Sequence, residues 1–116
     1  MSPFDSRRLV GLAPAIVAAV VLAAVPVPAA AAPRTYTVVI DKMKFGPVPA
    51  NLHVGDVILW VNRDMFRHTA TARDRSFDVQ LAPSQSAKMV IRRSGAIAFS
   101  CAYHPGMTGR LVVARS

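Results

Sequence analysis

Residues 101–113 read CAYHPGMTGRLVV, and they hold the only cysteine of the 116-residue chain, Cys101, with His104 three residues on and Met107 three further. The segment before them, GAIAFS (95–100), alternates so that Ile97, Phe99 and Cys101 share one face, which is the period of a half-buried strand. After them GRLVV (109–113) reads as another strand. Pro105 and Gly106 supply the tight turn that the intervening AYHPGMT needs, so the stretch is two strands joined by a loop at one end of a sheet. Cys101, His104 and Met107 can then face a common centre.

Working outward, the rest of the chain past residue 32 also reads as strands and turns. RTYTVVI (34–40) puts Tyr36, Val38 and Ile40 on one side. MKFGPVPANLHVGD (43–56) carries Gly46, Pro47, Pro49, Asn51 and Gly55, giving short extended pieces broken by turns. DVILWVN (56–62) is β-rich and ends at the polar break NRDMFRH. HTATARDRSFDVQLAPSQS (68–86) is polar and irregular, and reads as a loop region with a short strand around Phe77 to Val79. AKMVIRR (87–93) alternates again and is followed by a Ser94–Gly95 turn. Seven to eight short strands at this spacing predict an all-β, Greek-key sandwich with no helix of useful length.

The chemistry of the 101–107 loop calls for a further donor, and His68, just after the break that follows WVN, is the residue placed to reach the same end. His68, Cys101 and His104 as strong donors, with Met107 as a weak one, form the two-histidine, one-thiolate set with an axial thioether that suits copper in electron transfer. Each residue alone reads otherwise: Cys101 as a small buried hydrophobe, Met107 as core filler, His68 as a loop histidine. The joint spacing has little reason to arise from packing. His53, in a turn before VGD and without sulfur neighbours, reads as solvent-facing. Haem attachment needs a second cysteine, and a structural zinc site prefers more thiolates or carboxylates and no thioether.

The N-terminus carries Arg7 and Arg8, then an apolar run from Leu9 to Val25 containing Pro14, then PVPAAAAP. Basic, apolar and small residues in that order predict a secretory leader over 1–31, cleaved after Ala31, and a mature domain over 32–116. The run is shorter than the roughly 20 apolar residues of a bilayer span, so no stable membrane insertion is expected after cleavage. A domain of this size builds one modest core. A single cysteine cannot form an internal disulfide, so an exported chain of this kind calls for another staple, with a metal the obvious candidate.

The whole chain has a formal net charge of +8, and the leader, with Arg7, Arg8 and Asp5, accounts for +1 of it, leaving +7 for the mature domain. Basic residues are scattered and lack interleaved aromatics, which, with export, argues against a nucleic-acid partner. Arg67 and Arg110 near the donor loop favour an acidic docking partner through electrostatic steering.

On these residues the chain resembles the cupredoxins, the small type 1 blue copper proteins of the plastocyanin and amicyanin kind. KFGPVPANLHVGDVILWVNRD is similar to the family's early strands, FRHTATA to its first histidine region, and GAIAFSCAYHPGMTGRLVV to its ligand loop. The resemblance implies a cupredoxin-like sandwich with His68, Cys101 and His104 as equatorial ligands and Met107 as axial ligand to one copper ion cycling between +1 and +2. It also implies an electron port at the edge of His104, with Met65, Phe66 and Pro105 as candidates for an apolar surround. Many relatives have proline before the first histidine and asparagine after it, where this chain has Arg67 and Thr69. The function implied is an exported, periplasmic, monomeric carrier of single electrons between redox proteins, and not an enzyme. The alternative is a copper-delivery module, for which Met43, Met65 and Met89 are too dispersed to form a methionine-rich segment. A cysteine hydrolase fails because His104 is tied to the same short loop as Cys101 and no orienting Asn or Asp with an oxyanion site is evident.

Overall fold

The computed structural model describes residues 11, 13–26 and 32–115. The expected leader and its cleavage point after Ala31 fall largely on residues outside this set, and residues 13–26 have neither helix nor strand. Among the described residues no helix is long and apolar enough to cross a membrane.

Nine strands follow in order: β1 (Thr35–Asp41), β2 (Lys44–Phe45), β3 (Leu52–His53), β4 (Val57–Asn62), β5 (His68–Ala72), β6 (Asp78–Leu81), β7 (Ser86–Val90), β8 (Gly95–Ser100) and β9 (Thr108–Ala114). They form two sheets, one ordered β2-β1-β4-β7 and the other β3-β9-β8-β5-β6. The all-β sandwich expected from the strand spacing is present. Pairing is antiparallel except for β1 with β4 and β3 with β9, two parallel ladders that no hairpin can join and that force the chain to cross between sheets.

The alternation in the sequence lands where the period demands. Val38 and Ile40 of β1, Ile58 and Trp60 of β4, and Ile97 and Phe99 of β8 are buried in one continuous core. At its centre Phe99 meets Phe45 edge to face at 4.8 Å and Trp60 at 5.3 Å. Opposed aromatic pairs of this geometry add to the area they bury.

Two features bear on the sequence reading, and the second departs from it. The extra strands β2 and β3 are only two residues each, the short extended pieces expected between turns. More consequentially, β5 is a strand where a loop was expected, and His68 is its first residue. HTATA does alternate, Thr69 and Thr71 against Ala70 and Ala72, but alanine gives only a weak apolar signal and the polar Thr69 is buried, so the period is easily missed. Its side chains are small or β-branched, and Ala70 and Ala72 fit beneath the aromatic cluster.

At the end of the sandwich away from Cys101, Asp56 accepts the backbone N–H of Arg34 at 3.0 Å and of His53 at 2.9 Å. The Arg34 N–H leads the effects that hold this carboxyl below its ordinary range, overcoming burial. His53 is solvent-facing as expected, its side chain 51% exposed.

Candidate metal centre

Three strands and two loops converge at the end of the sandwich where β4 and β8 finish. Cys101 directly follows β8, so the alternation that buries Ile97 and Phe99 also buries its thiol, 2% exposed. The loop after it is closed on itself: the Cys101 N–H donates to the Met107 carbonyl at 3.0 Å and the Met107 N–H to the His104 carbonyl at 2.8 Å. That neck holds Met107 in the core cluster and leaves His104 half-buried. His68, at the start of β5, is fully buried.

One donor atom from each of His68, Cys101 and His104 lies within 4.8 Å of the others. Cys101 Sγ is 3.7 Å from His68 Nδ1 and 3.7 Å from His104 Nδ1, and the two imidazoles sit 5.0 Å apart centroid to centroid. The three strong donors singled out in the sequence are thus brought together. Met107 lies buried in the same loop.

Which nitrogen of His68 faces the centre is settled by Asp64, a residue that sequence reasoning missed. Its carboxylate accepts the Nε2–H of His68 at 2.8 Å. A carboxylate has no proton to give, so Nε2 must carry one and Nδ1 keeps its lone pair turned toward Cys101. Asp64 is itself fixed: it accepts the backbone N–H groups of Lys42 at 2.8 Å and Met43 at 3.0 Å. Both residues have positive φ, and their successive N–H groups cup the carboxylate. Burial raises the Asp64 carboxyl, but the Met43 N–H, the His68 ring and the Lys42 N–H together outweigh it and leave the carboxyl below its ordinary range.

Asn62, the last residue of β4, builds the turn that presents Asp64. It is buried; its Oδ1 accepts the Asp64 N–H at 2.9 Å, and its Nδ2 lies within 3.3 Å of the carbonyls of Phe66, Leu81 and Ala82. The polar break after WVN is therefore a framework for the first histidine. The only signal of it in the sequence is a buried-type strand ending in Asn, with Asp four residues before His68.

Thr69 ties the two donor segments together. Its N–H donates to Cys101 Sγ at 3.4 Å, and its hydroxyl oxygen accepts the Ala102 N–H at 2.9 Å. On the outside, Phe66 lies edge-on to His104 at 6.4 Å between ring centroids. Met65 is 88% exposed, Phe66 59% and Tyr103 54%; of the residues expected around His104, Phe66 is the one whose ring lies against it.

Comparison with known proteins places this arrangement. A family model described as a cupredoxin-like domain matches residues 14–113. Among solved structures, the chain is similar to a reduced Cu(I) form at pH 4 of a proline-to-glycine variant of amicyanin, with 26% identity, a TM-score of 0.60, and 69% of this chain and 82% of that one covered. It is similar also to a Cu(I) form of a methionine-to-alanine variant of amicyanin, at 24% identity and a TM-score of 0.61 over the same shares of the two chains. A reduced tryptophan-to-tyrosine variant of amicyanin gives 23% identity and a TM-score of 0.61, with 73% and 85% covered. No curated protein matches the chain.

Proposed function

Because this chain belongs to the cupredoxin-like domain family, we propose that it carries single electrons between redox partners through one type 1 copper ion, held by His68, Cys101 and His104 with Met107 as axial ligand. The observation that carries this reading is the meeting of a thiol and two imidazole nitrogens within 4.8 Å at the buried end of a rigid sandwich. The donor set fits copper: one soft thiolate, two imidazoles and a nearby thioether, with no carboxylate in the set. Copper bound there supplies one-electron chemistry between its +1 and +2 states.

The chain's own residues do the rest. Asp64 keeps the proton of His68 on Nε2 and frees Nδ1. The Thr69 N–H donates to Sγ, and Cys101 would bind the metal as its thiolate, a step that releases one proton. The core beneath excludes water from Cys101 and His68. His104, half-buried beside Phe66, is the route outward. Arg67 and Arg110 are exposed and would steer an acidic partner. Export through the N-terminal leader, a periplasmic location and a monomeric state complete the proposal. The depth of the thiol favours electron carriage over copper delivery, which needs a site open enough to hand its metal on.

Adding Cu(II) to the reduced full chain tests it: the expected result is an intense blue absorption and an EPR spectrum with a small copper hyperfine splitting. A colourless protein or an ordinary tetragonal copper spectrum would overturn it. Asp64→Asn should lower copper affinity about 10- to 100-fold, because the carboxylate partner of a ligating imidazole orients the ring and raises its basicity. Since a more basic imidazole favours Cu(II) over Cu(I), the same variant should show a higher reduction potential by voltammetry. An unchanged affinity and potential would remove Asp64 from the site's tuning.

A further inference from the structure

His68 and Cys101 sit on neighbouring segments, yet β5 pairs with β8 only at Thr71 with Ser100 and Ala72 with Phe99. Toward the donors the ladder has ended, and Thr69 spans the gap through its N–H to Sγ and its hydroxyl to the Ala102 N–H. The hydroxyl does not act alone. Thr69 Oγ1 is 2.8 Å from Thr71 Oγ1, and the Thr71 hydroxyl is 2.8 Å from Asp78 Oδ1, its directly opposite neighbour on β6.

The direction of this relay is fixed from its outer end. The Asp78 carboxylate only accepts, so Thr71 spends its proton on Asp78 and offers an acceptor to Thr69. Thr69 then donates to Thr71 and keeps a lone pair for the Ala102 N–H. Removing the carboxylate frees Thr71 to turn its proton inward. Thr69 is fully buried, without water to take its own displaced proton, and that proton then competes with the Ala102 N–H. Hydrogen bonds in such chains polarise one another, and one ending on a charged acceptor is the stronger for it.

We infer that Asp78, exposed on β6 and outside the donor set, is a positioning residue for the metal centre, acting through Thr71 and Thr69 on the Ala102 N–H that sets the Cys101 loop against the His68 strand. Its metal consequence rests on the proposed function; the clamp itself does not.

Amide exchange by NMR on the metal-free full chain separates the two. Asp78→Ala and Thr71→Val should each speed exchange of the Ala102 N–H about tenfold, the effect of losing one intramolecular hydrogen bond. Exchange at Val38, deep in the β1–β4 ladder, should stay unchanged. The double variant should do no more than either single one, and Asp78→Asn, which keeps an acceptor oxygen, should recover most of the protection. In the copper-loaded chain the same order should appear as a shift of the blue band and of the reduction potential in Asp78→Ala, recovered in Asp78→Asn. Unchanged Ala102 exchange in Asp78→Ala, additive effects in the double variant, or faster exchange with no change in the loaded spectrum would each overturn the inference. A wild-type chain that takes up copper without a blue band overturns the proposed function instead, and exchange still decides the clamp.

Discussion

Replacing Gly109 by valine should leave the protein largely unfolded, and replacing it by alanine should cost about 2–3 kcal/mol. Gly109 lies directly opposite Phe99 in the β8–β9 ladder. A Cβ there would stand 2.6 Å and 2.9 Å from the Cε atoms of the Phe99 ring and press closer still on its tip. The ring has nowhere to retreat, being fully packed against Phe45 and Trp60. Expelling a core phenylalanine costs about 3–5 kcal/mol, comparable with the whole stability of a domain at the low end of the usual range of about 5–15 kcal/mol. Urea unfolding of the metal-free chain measures the effect. Phe99→Leu should partly rescue Gly109→Ala, since it shortens the ring that the methyl meets; equal stabilities for wild type and Gly109→Ala would mean that the ring moves freely.

Cys101→Ser should abolish the blue absorption altogether while leaving a folded sandwich. The band arises from thiolate-to-copper charge transfer, and an alkoxide-forming hydroxyl is too hard a donor and too weak an acid to stand in for it at neutral pH. Serine has the shape of cysteine at a slightly smaller size and can accept the Thr69 N–H that now points at Sγ, so the fold should lose no more than about 1–2 kcal/mol. Any copper still bound should give the wide hyperfine splitting of an ordinary nitrogen–oxygen site. A blue band that survives the substitution would place the thiolate elsewhere, although Cys101 is the only cysteine of the chain.

Much of this was legible in the residues, for reasons that differ along the chain. Strands with one face buried, such as β1 and β8, declare themselves by alternation, and Ile97, Phe99 and Cys101 are buried together as that alternation requires. The compact loop from Cys101 to Met107 was legible because its donors are close in sequence and its turn residues explicit. β5 was not, because the apolar side of its alternation is only Ala70 and Ala72, and threonine hydroxyls read as polar until their partners across space are known. Asp64 escaped for a similar reason. Its partners, Lys42 and Met43, lie on a turn some 22 residues away in the chain, and only the folded Asn62 turn points its carboxylate at His68.

The place of β9 inside its sheet, between β3 and β8, has a consequence for the order of events in folding. Until residues 108–114 are available, β3 has no strand to pair with, one flank of β8 is bare, and Phe99 lacks the Gly109 surface that it rests on. The neck of the donor loop cannot close either, since the Cys101 N–H needs the Met107 carbonyl. A growing chain that has released only its first hundred residues therefore holds no finished second sheet. Pairings between segments so far apart form late and slowly, so collapse awaits the last strand. A polypeptide built this way acquires a place for a metal only once residues 108–114 have joined their sheet.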